Sequence, residues 1–330
     1  MPGEIRKVKT AVTGALGHIG SRLIREWPRA FPGGEIVMLD NLSTQRYCSL
    51  FDLPPAGNYR FTEADILDCD IAPLIGGAGV VIHLAAITNA EESFANPERV
   101  EEVNCRGTER VARACVKAGI PMIFLSTTSV YGSRATLVDE DCPEADLKPQ
   151  SPYAETKLKA ERVLHELGQQ QGLRFVVCRF GTICGVSPGM RFHTAINKFC
   201  WQAVMGRPLT VWKTALNQKR PYLSLSDAVA ALALIVRTEL YDRRIYNVLT
   251  DNLTPHDIVG MIREQVPAVQ VNLTDAKIMN LLSYEVSNKR FAGLGFESHG
   301  SVRNDIAETI RLLKDAGRPG LGSVGTTKTV

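Results

Sequence analysis

Two groups of residues in this chain have types and spacings that could do chemistry. Near the start, Thr13-Gly14-Ala15-Leu16-Gly17-His18-Ile19-Gly20 sets three glycines three apart. Further on, Tyr153-Ala154-Glu155-Thr156-Lys157 sets a phenol and an ammonium four apart, on one face of any helix they share. A tyrosine has an ordinary pKa of about 10. A lysine cation close by stabilises the phenolate and is expected to lower that value. Such a phenol can take a hydroxyl proton while hydride leaves the same carbon for an oxidised nicotinamide. Taken alone, Tyr-x-x-x-Lys is a common structural pair, and a glycine-rich turn need hold no ligand. Together they point to hydride transfer at a carbon bearing a hydroxyl or a ketone.

The elements around the glycines make them a dinucleotide site. Val8–Thr13 reads as a strand and 17–27 as a helix, ended by Pro28 and Pro32. The first glycine permits the turn, the second lets the backbone approach a pyrophosphate, and the third brings helix and strand together. The helix start offers free N–H groups and a positive dipole end. Gly14, Gly17, His18, Ile19 and Gly20 are therefore expected cofactor contacts. Asp40 ends a second strand, Glu35–Asp40, before Asn41. A carboxylate there accepts from ribose hydroxyls and repels a 2′-phosphate, favouring NAD over NADP. Its plain alternative is a turn-forming Asp, and Arg46 nearby weakens the preference. Asp65-Ile66 follows a third strand and is placed against the adenine, or else at a helix N-cap.

Tyr59–Ala64, Val80–Ala85, Met122–Ser126 and Phe175–Phe180 are further candidate strands. All but the first are near-continuously apolar, as parallel strands buried on both faces are. Helices are expected between them, notably Pro97–Ala118 and Tyr153–Gln171, the latter starting at Ser151-Pro152. Repeated strand–helix–strand units predict an α/β fold, a Rossmann-type doubly wound parallel sheet. Hydroxyls in Leu125-Ser126-Thr127-Thr128-Ser129-Val130-Tyr131-Gly132 fall at a strand's carboxyl end, where such sheets bind ligands. After Phe180 the pattern loosens. A helix over 194–205 is expected, with Tyr222–Leu225 and Ile245–Leu249 returning to the sheet. The reading is a dinucleotide-binding domain over 1–180 with return segments from about 220–250 and a smaller substrate lobe over 181–330, whose last residues, 317–330, are expected to be disordered.

Composition narrows the rest. The 330 residues carry a net charge of +3, which gives no argument for nucleic acid or an anionic membrane. The longest apolar stretch, Ala228–Val236, is too short to span a bilayer, and the first residues have no apolar signal region. The eight cysteines form no Cys-x-x-Cys and no zinc spacing. They read as reduced thiols in a cytoplasmic protein without a metal site.

From residue 9 to 227 these motifs resemble the extended short-chain dehydrogenase/reductase superfamily, in its nucleotide-sugar epimerase/dehydratase branch, which includes the UDP-glucose 4-epimerase-like enzymes. The glycine motif is one match. His83-Leu84-Ala85-Ala86, with Ser93 and Pro97 downstream, is similar to the family's fourth-strand motif. Asn104-Cys105-Arg106-Gly107-Thr108 fits its Asn-x-x-Gly-Thr, and Ser126–Gly132 its Ser-x-x-x-Val-Tyr-Gly stretch. The resemblance implies Thr127, Tyr153 and Lys157 as the catalytic set, with Lys157 also holding the nicotinamide ribose. It adds Leu84, Ala85, Ala86 and Asn104 to the NAD contacts. It places Thr88, Thr127, Thr128, Thr182, Asn197 and Arg220 at the substrate, the last two on its diphosphate. Asp227 is read as a helix cap.

The 4,6-dehydratases of this branch carry Asp-Glu after the catalytic Thr. Thr128 and Ser129 stand there instead, so dehydration is not expected. The resemblance implies an NAD-dependent epimerase of nucleotide-diphosphate sugars, inverting C4 through a transient ketone. Two alternatives remain open at this point: an NAD(P)-dependent reductase or dehydrogenase of a keto-sugar or other secondary alcohol, and a non-enzymatic nucleotide-binding module. The two long helices match the family's dimer-forming pair, which implies a homodimer.

Overall fold

The structure is a computed structural model in which residues 7–132, 137–275 and 284–316 are described. The expected disordered tail, 317–330, lies outside the described residues. The strands used below are β1 (Thr10–Thr13), β2 (Glu35–Asp40), β3 (Asn58–Glu63), β4 (Val80–His83), β5 (Met122–Thr127), β6 (Phe175–Phe180), β7 (Thr182–Cys184), β8 (Arg220–Ser224), β9 (Asp242–Val248) and β10 (Asp251–Leu253). The helices are α1 (His18–Ala30), α2 (Pro97–Glu101), α3 (Gly107–Ala118), α4 (Pro152–Gln171), α5 (Ala195–Val204), α6 (Leu225–Thr238), α7 (Pro255–Gln265) and α8 (Val302–Leu313).

Seven parallel strands form the main sheet in the order β9-β6-β5-β4-β1-β2-β3. Alternate residues serve opposite faces, the period of two that a pleated strand imposes. Val12, Met38, Ile82 and Ile123 pack under Leu23, Ile24 and Trp27 of α1 and Leu232 and Ile235 of α6. Ala11, Val37, Val81 and Phe124 pack under Val111 and Cys115 of α3 and Leu164 of α4. Both faces are covered, so the strands are apolar throughout. The exceptions are the two edge strands: β3, whose residues are half-buried or exposed, and β9, which begins with exposed Asp242, Arg243 and Arg244. The chain runs outward from β1 to β3 and then reverses to β4. The crevice between the carboxyl ends of β1 and β4 is the switch point at which such sheets take ligands.

Several elements differ from the sequence reading. Pro28 does not end α1, which continues to Ala30. Proline cannot donate to the carbonyl one turn back. The Tyr59 hydroxyl donates to that Ile24 carbonyl instead, at 3.2 Å. The long helix expected over Pro97–Ala118 is broken by a π-helical turn, Glu102–Arg106. Asn104 sits in this turn, wholly buried. Residues 220–224 do not rejoin the main sheet. They form a separate sheet with β7 and β10. The bend lies at Gly181, where a Cβ would stand 3.1 Å from the Pro221 backbone. Below that sheet, Ile196 and Cys200 of α5, Ile258 and Ile262 of α7, and Ile306 of α8 make a second core.

Candidate active site

The glycine loop is shaped by close approach. Gly14 has φ +66°, and a Cβ there would lie 2.6 Å from the Ala85 amide nitrogen. A Cβ on Gly20 would lie 2.5 Å from the Ala15 carbonyl oxygen. The loop is pinned to Asp40, whose Oδ2 accepts from Leu16 N at 3.0 Å and whose Oδ1 accepts from Leu42 N at 3.0 Å. A carboxylate has about four lone-pair sites. Two remain for other donors.

Asp65 Oδ1 accepts from Leu67 N at 2.9 Å, and its Oδ2 accepts from Asn41 Nδ2 at 2.9 Å. No helix starts there, so Asp65 shapes a turn rather than a cap. Asp40, Asn41, Asp65 and Ile66, with Leu84, Ala85 and Ala86, line one cavity of about 180 Å³.

A second cavity, of about 340 Å³, opens beside it and shares Gly14 and Gly17. His18, Ile19, Gly20, Leu84, Ala86, Thr88, Thr127, Tyr153, Lys157 and Thr182 line it. The first-turn N–H groups of a helix have no partner within the helix, and α1 opens into this space. Glycines without side chains, a helix start and a strand-end acid meet in one crevice, which fits a dinucleotide.

Ser151 caps α4 by accepting from Ala154 N at 3.2 Å, with Pro152 in the first turn. That start sets Tyr153 and Lys157 on the face toward β5. Thr127 ends β5. Its Oγ1 accepts from Ser129 N at 3.1 Å, and its hydroxyl lines the same cavity wall as the Tyr153 phenol. Burial acts most strongly on the phenol and raises its pKa, while the Thr127 hydroxyl and the Arg191 charge pull it down. The expectation that Lys157 lowers it is corrected here. Lys157 Nζ donates to Leu125 O at 2.8 Å and lies 4.7 Å from the Phe124 ring centre. Burial lowers its own pKa to about 7 against the field of Glu161.

Two buried polar networks hold these groups. His83 Nδ1 meets Thr13 Oγ1 at 2.7 Å and Nε2 meets Thr108 Oγ1 at 3.0 Å. The Thr108 hydroxyl donates to Asn104 O at 2.6 Å, so His83 is read as the Nε2–H tautomer, accepting from Thr13. Burial, then Lys157, pushes its pKa down to about 3. Asn104 Oδ1 accepts from Ile87 N at 2.8 Å, and its Nδ2 donates to Ile87 O at 2.9 Å and to Thr156 Oγ1 at 3.2 Å. Asn104 thus clamps the loop after β4 and does not line either cavity. In the other network Arg179 Nη2 and Nε donate to Glu161 at 2.7 and 3.1 Å, and Ser126 donates to the same carboxylate. Burial works against the Arg179 charge, but Glu161 outweighs it and the pKa is raised.

Three expected substrate residues lie off the cavity wall. The Thr128 hydroxyl donates to Phe180 O at 3.2 Å. Asn197 Nδ2 donates to Arg191 O at 2.7 Å, while its Oδ1 is buried without a partner. Arg220 stands 5.0 Å over the Tyr284 ring and donates to Gln218 Oε1 at 3.0 Å. Asp227 is not a cap. It sits inside the first turn of α6 and accepts from His299 N at 3.0 Å, Gly300 N at 2.7 Å and Thr250 Oγ1 at 2.6 Å. Arg191, His193 and Trp212 line the larger cavity without having been picked out in the sequence. They fall where no strong periodicity marks the chain, and no motif flags them.

A Rossmann sheet with a phenol, a hydroxyl and a buried lysine at its switch point defines a dinucleotide-dependent enzyme. Residues 10–248 match the NAD dependent epimerase/dehydratase family, and the chain belongs to it. It is 32% identical over 237 residues to an uncharacterized UDP-glucose epimerase of Bacillus subtilis (strain 168), covering 69% of this chain and 72% of that one. It is 29% identical over 329 residues to dTDP-D-glucose 4,6-dehydratase of Mus musculus, covering 94% and 89%. Among solved structures it is similar to MoeE5 in complex with UDP-glucuronic acid and NAD, with a TM-score of 0.80, 26% identity and coverage of 93% and 99%. No helix among the described residues is long and apolar enough to cross a membrane.

Proposed function

We propose that the protein is an NAD-dependent nucleotide-sugar epimerase that inverts C4 through a transient 4-keto intermediate. One observation carries the reading. The Thr127 hydroxyl and the Tyr153 phenol share the wall of a cavity that adjoins the dinucleotide crevice. Bound NAD supplies an acceptor that takes the C4 hydride and returns it. Gly14, Gly17 and α1 hold its pyrophosphate, Asp40 a ribose, Asp65 and Ile66 the adenine, and Lys157 the nicotinamide ribose. Tyr153 takes the C4 hydroxyl proton and later gives it back, and Thr127 holds the reacting oxygen. Thr88 and Thr182 face the sugar; Asn197 and Arg220, which stand beyond that wall, are assigned to the diphosphate. Elimination across C5–C6 needs an acid beside Thr127. Thr128 and Ser129 stand there, and the one carboxylate on this cavity's wall among the described residues is Glu91, on the loop after β4.

The protein purified without added cofactor is expected to carry NAD. With UDP-, GDP- or CDP-linked hexoses it is expected to give the C4 epimer, followed by NMR. An empty site that needs added NAD(P)H and yields net reduction would reject the reading, as would a 4-keto-6-deoxy product. The outer faces of α2–α3 and α4 are proposed to pair with those of a second copy in a homodimer.

A further inference from the structure

The reaction just proposed assigns no work to a buried arginine, yet one stands in the middle of the site. Arg191 lines both cavities and feels the charges of Tyr153 and Asp40 at their two ends. Its guanidinium donates to the Thr88 hydroxyl, and no carboxylate among the described residues forms an ion pair with it. Burial and then Arg46 lower its pKa to about 10. A desolvated cation with no carboxylate in contact is costly, and a chain rarely keeps one without a reason.

The segment that carries it is fastened to the glycine loop. His18 Nε2 bonds to Gly185 O at 2.8 Å. Ser187 Oγ donates to His18 O at 2.8 Å, and Gly189 N donates to Ser21 Oγ at 2.9 Å. A Cβ on Gly189 would lie 2.2 Å from Leu16 O, so the two backbones touch. Asn197 then holds the Arg191 carbonyl. These bonds make residues 185–191 a strap across the start of α1.

We infer that Arg191 receives an oxyanion of a bound ligand, and that the strap from Gly185 holds its charge where the two cavities join. Two sources share this chemistry: the pyrophosphate of the dinucleotide, crossing the glycine loop, and a carboxylate on the substrate sugar beside Tyr153. The second source rests on the function proposed above.

Arg191→Met removes the charge and keeps the bulk; Arg191→Lys restores a charge; Gly189→Ala displaces the strap with Arg191 intact. NAD affinity is measured on stripped protein, and UDP-glucose and UDP-glucuronate affinities on NAD-saturated protein, by calorimetry, with Tm beside them. A charge-assisted bond is worth about ten-fold in affinity or more. With the pyrophosphate as source, Arg191→Met and Gly189→Ala lose that factor for NAD and Arg191→Lys recovers part of it. With a sugar carboxylate as source, the loss is confined to UDP-glucuronate. Affinities of Arg191→Met all within about two-fold of the unaltered protein, with only Tm changed, would overturn the inference. If the unaltered protein bound neither sugar nucleotide, the proposed function would fail, and the NAD measurement alone would decide the role of Arg191.

Discussion

Tyr153 is governed by neighbours that act in opposite directions. Burial holds its proton on, while the Thr127 hydroxyl and the Arg191 charge loosen it. A positioned acid–base group contributes about 10²–10⁴-fold in rate. Tyr153→Phe is therefore expected to cut kcat by about that factor while NAD stays bound, checked by turnover and by NAD released on denaturation. Unchanged turnover would remove Tyr153 from the mechanism. Asp40→Ala takes away the proposed ribose acceptor and the anchor of Leu16 N. It is expected to lower NAD affinity about ten-fold and to narrow the gap to NADP, read by calorimetry. The residues the sequence named are those whose role follows from type and spacing: glycines, a strand-end acid, a Tyr–Lys pair. Arg191 was not legible, because its role arises only when a strap from another part of the chain folds over α1.

At the scale of elements the sheet was the most legible part. Unbroken apolar runs demanded strands covered on both faces, and β2 and β6 have the expected bounds. The misreadings share one cause, which is local sequence overruled by a distant partner. Pro28 stays in α1 because the Tyr59 hydroxyl serves the orphaned carbonyl. The π turn in 97–118 follows Asn104 turning in to hold Ile87. The Arg179–Glu161 pair ties β6 to α4 one turn beyond Lys157 and holds Ser126 beside Thr127. Arg179→Met strands a buried carboxylate, which costs about 3–5 kcal/mol. Urea unfolding should show that loss, and adding Glu161→Gln should return much of it. No loss in the single variant would show that the pair is not holding these elements together.

At the scale of the whole molecule, burial of neutral histidines predicts acid lability. His18 and His83 have pKa values lowered to about 4 and about 3 from an ordinary 6.5. Between that ordinary value and their folded ones the unfolded chain binds more protons, so stability falls as pH falls, by about 1.4 kcal/mol per unit for each. Asp305, raised to about 6, opposes this below that pH, while His193, lowered to about 4, adds to it. Denaturant midpoints are expected to drop between pH 6.5 and 4.5, and a flat profile would contradict the assignment. Sedimentation should give a dimer at micromolar concentration, and a monomer would reject the helix pairing. The central claim is that hydride leaves C4 and returns to it within one closed site. The most direct test uses UDP-hexose carrying deuterium at C4, with purified protein and no added cofactor. The account predicts a C4 epimer that keeps its deuterium and no net NADH. Deuterium lost to solvent, or transferred stoichiometrically into free NADH, would contradict it.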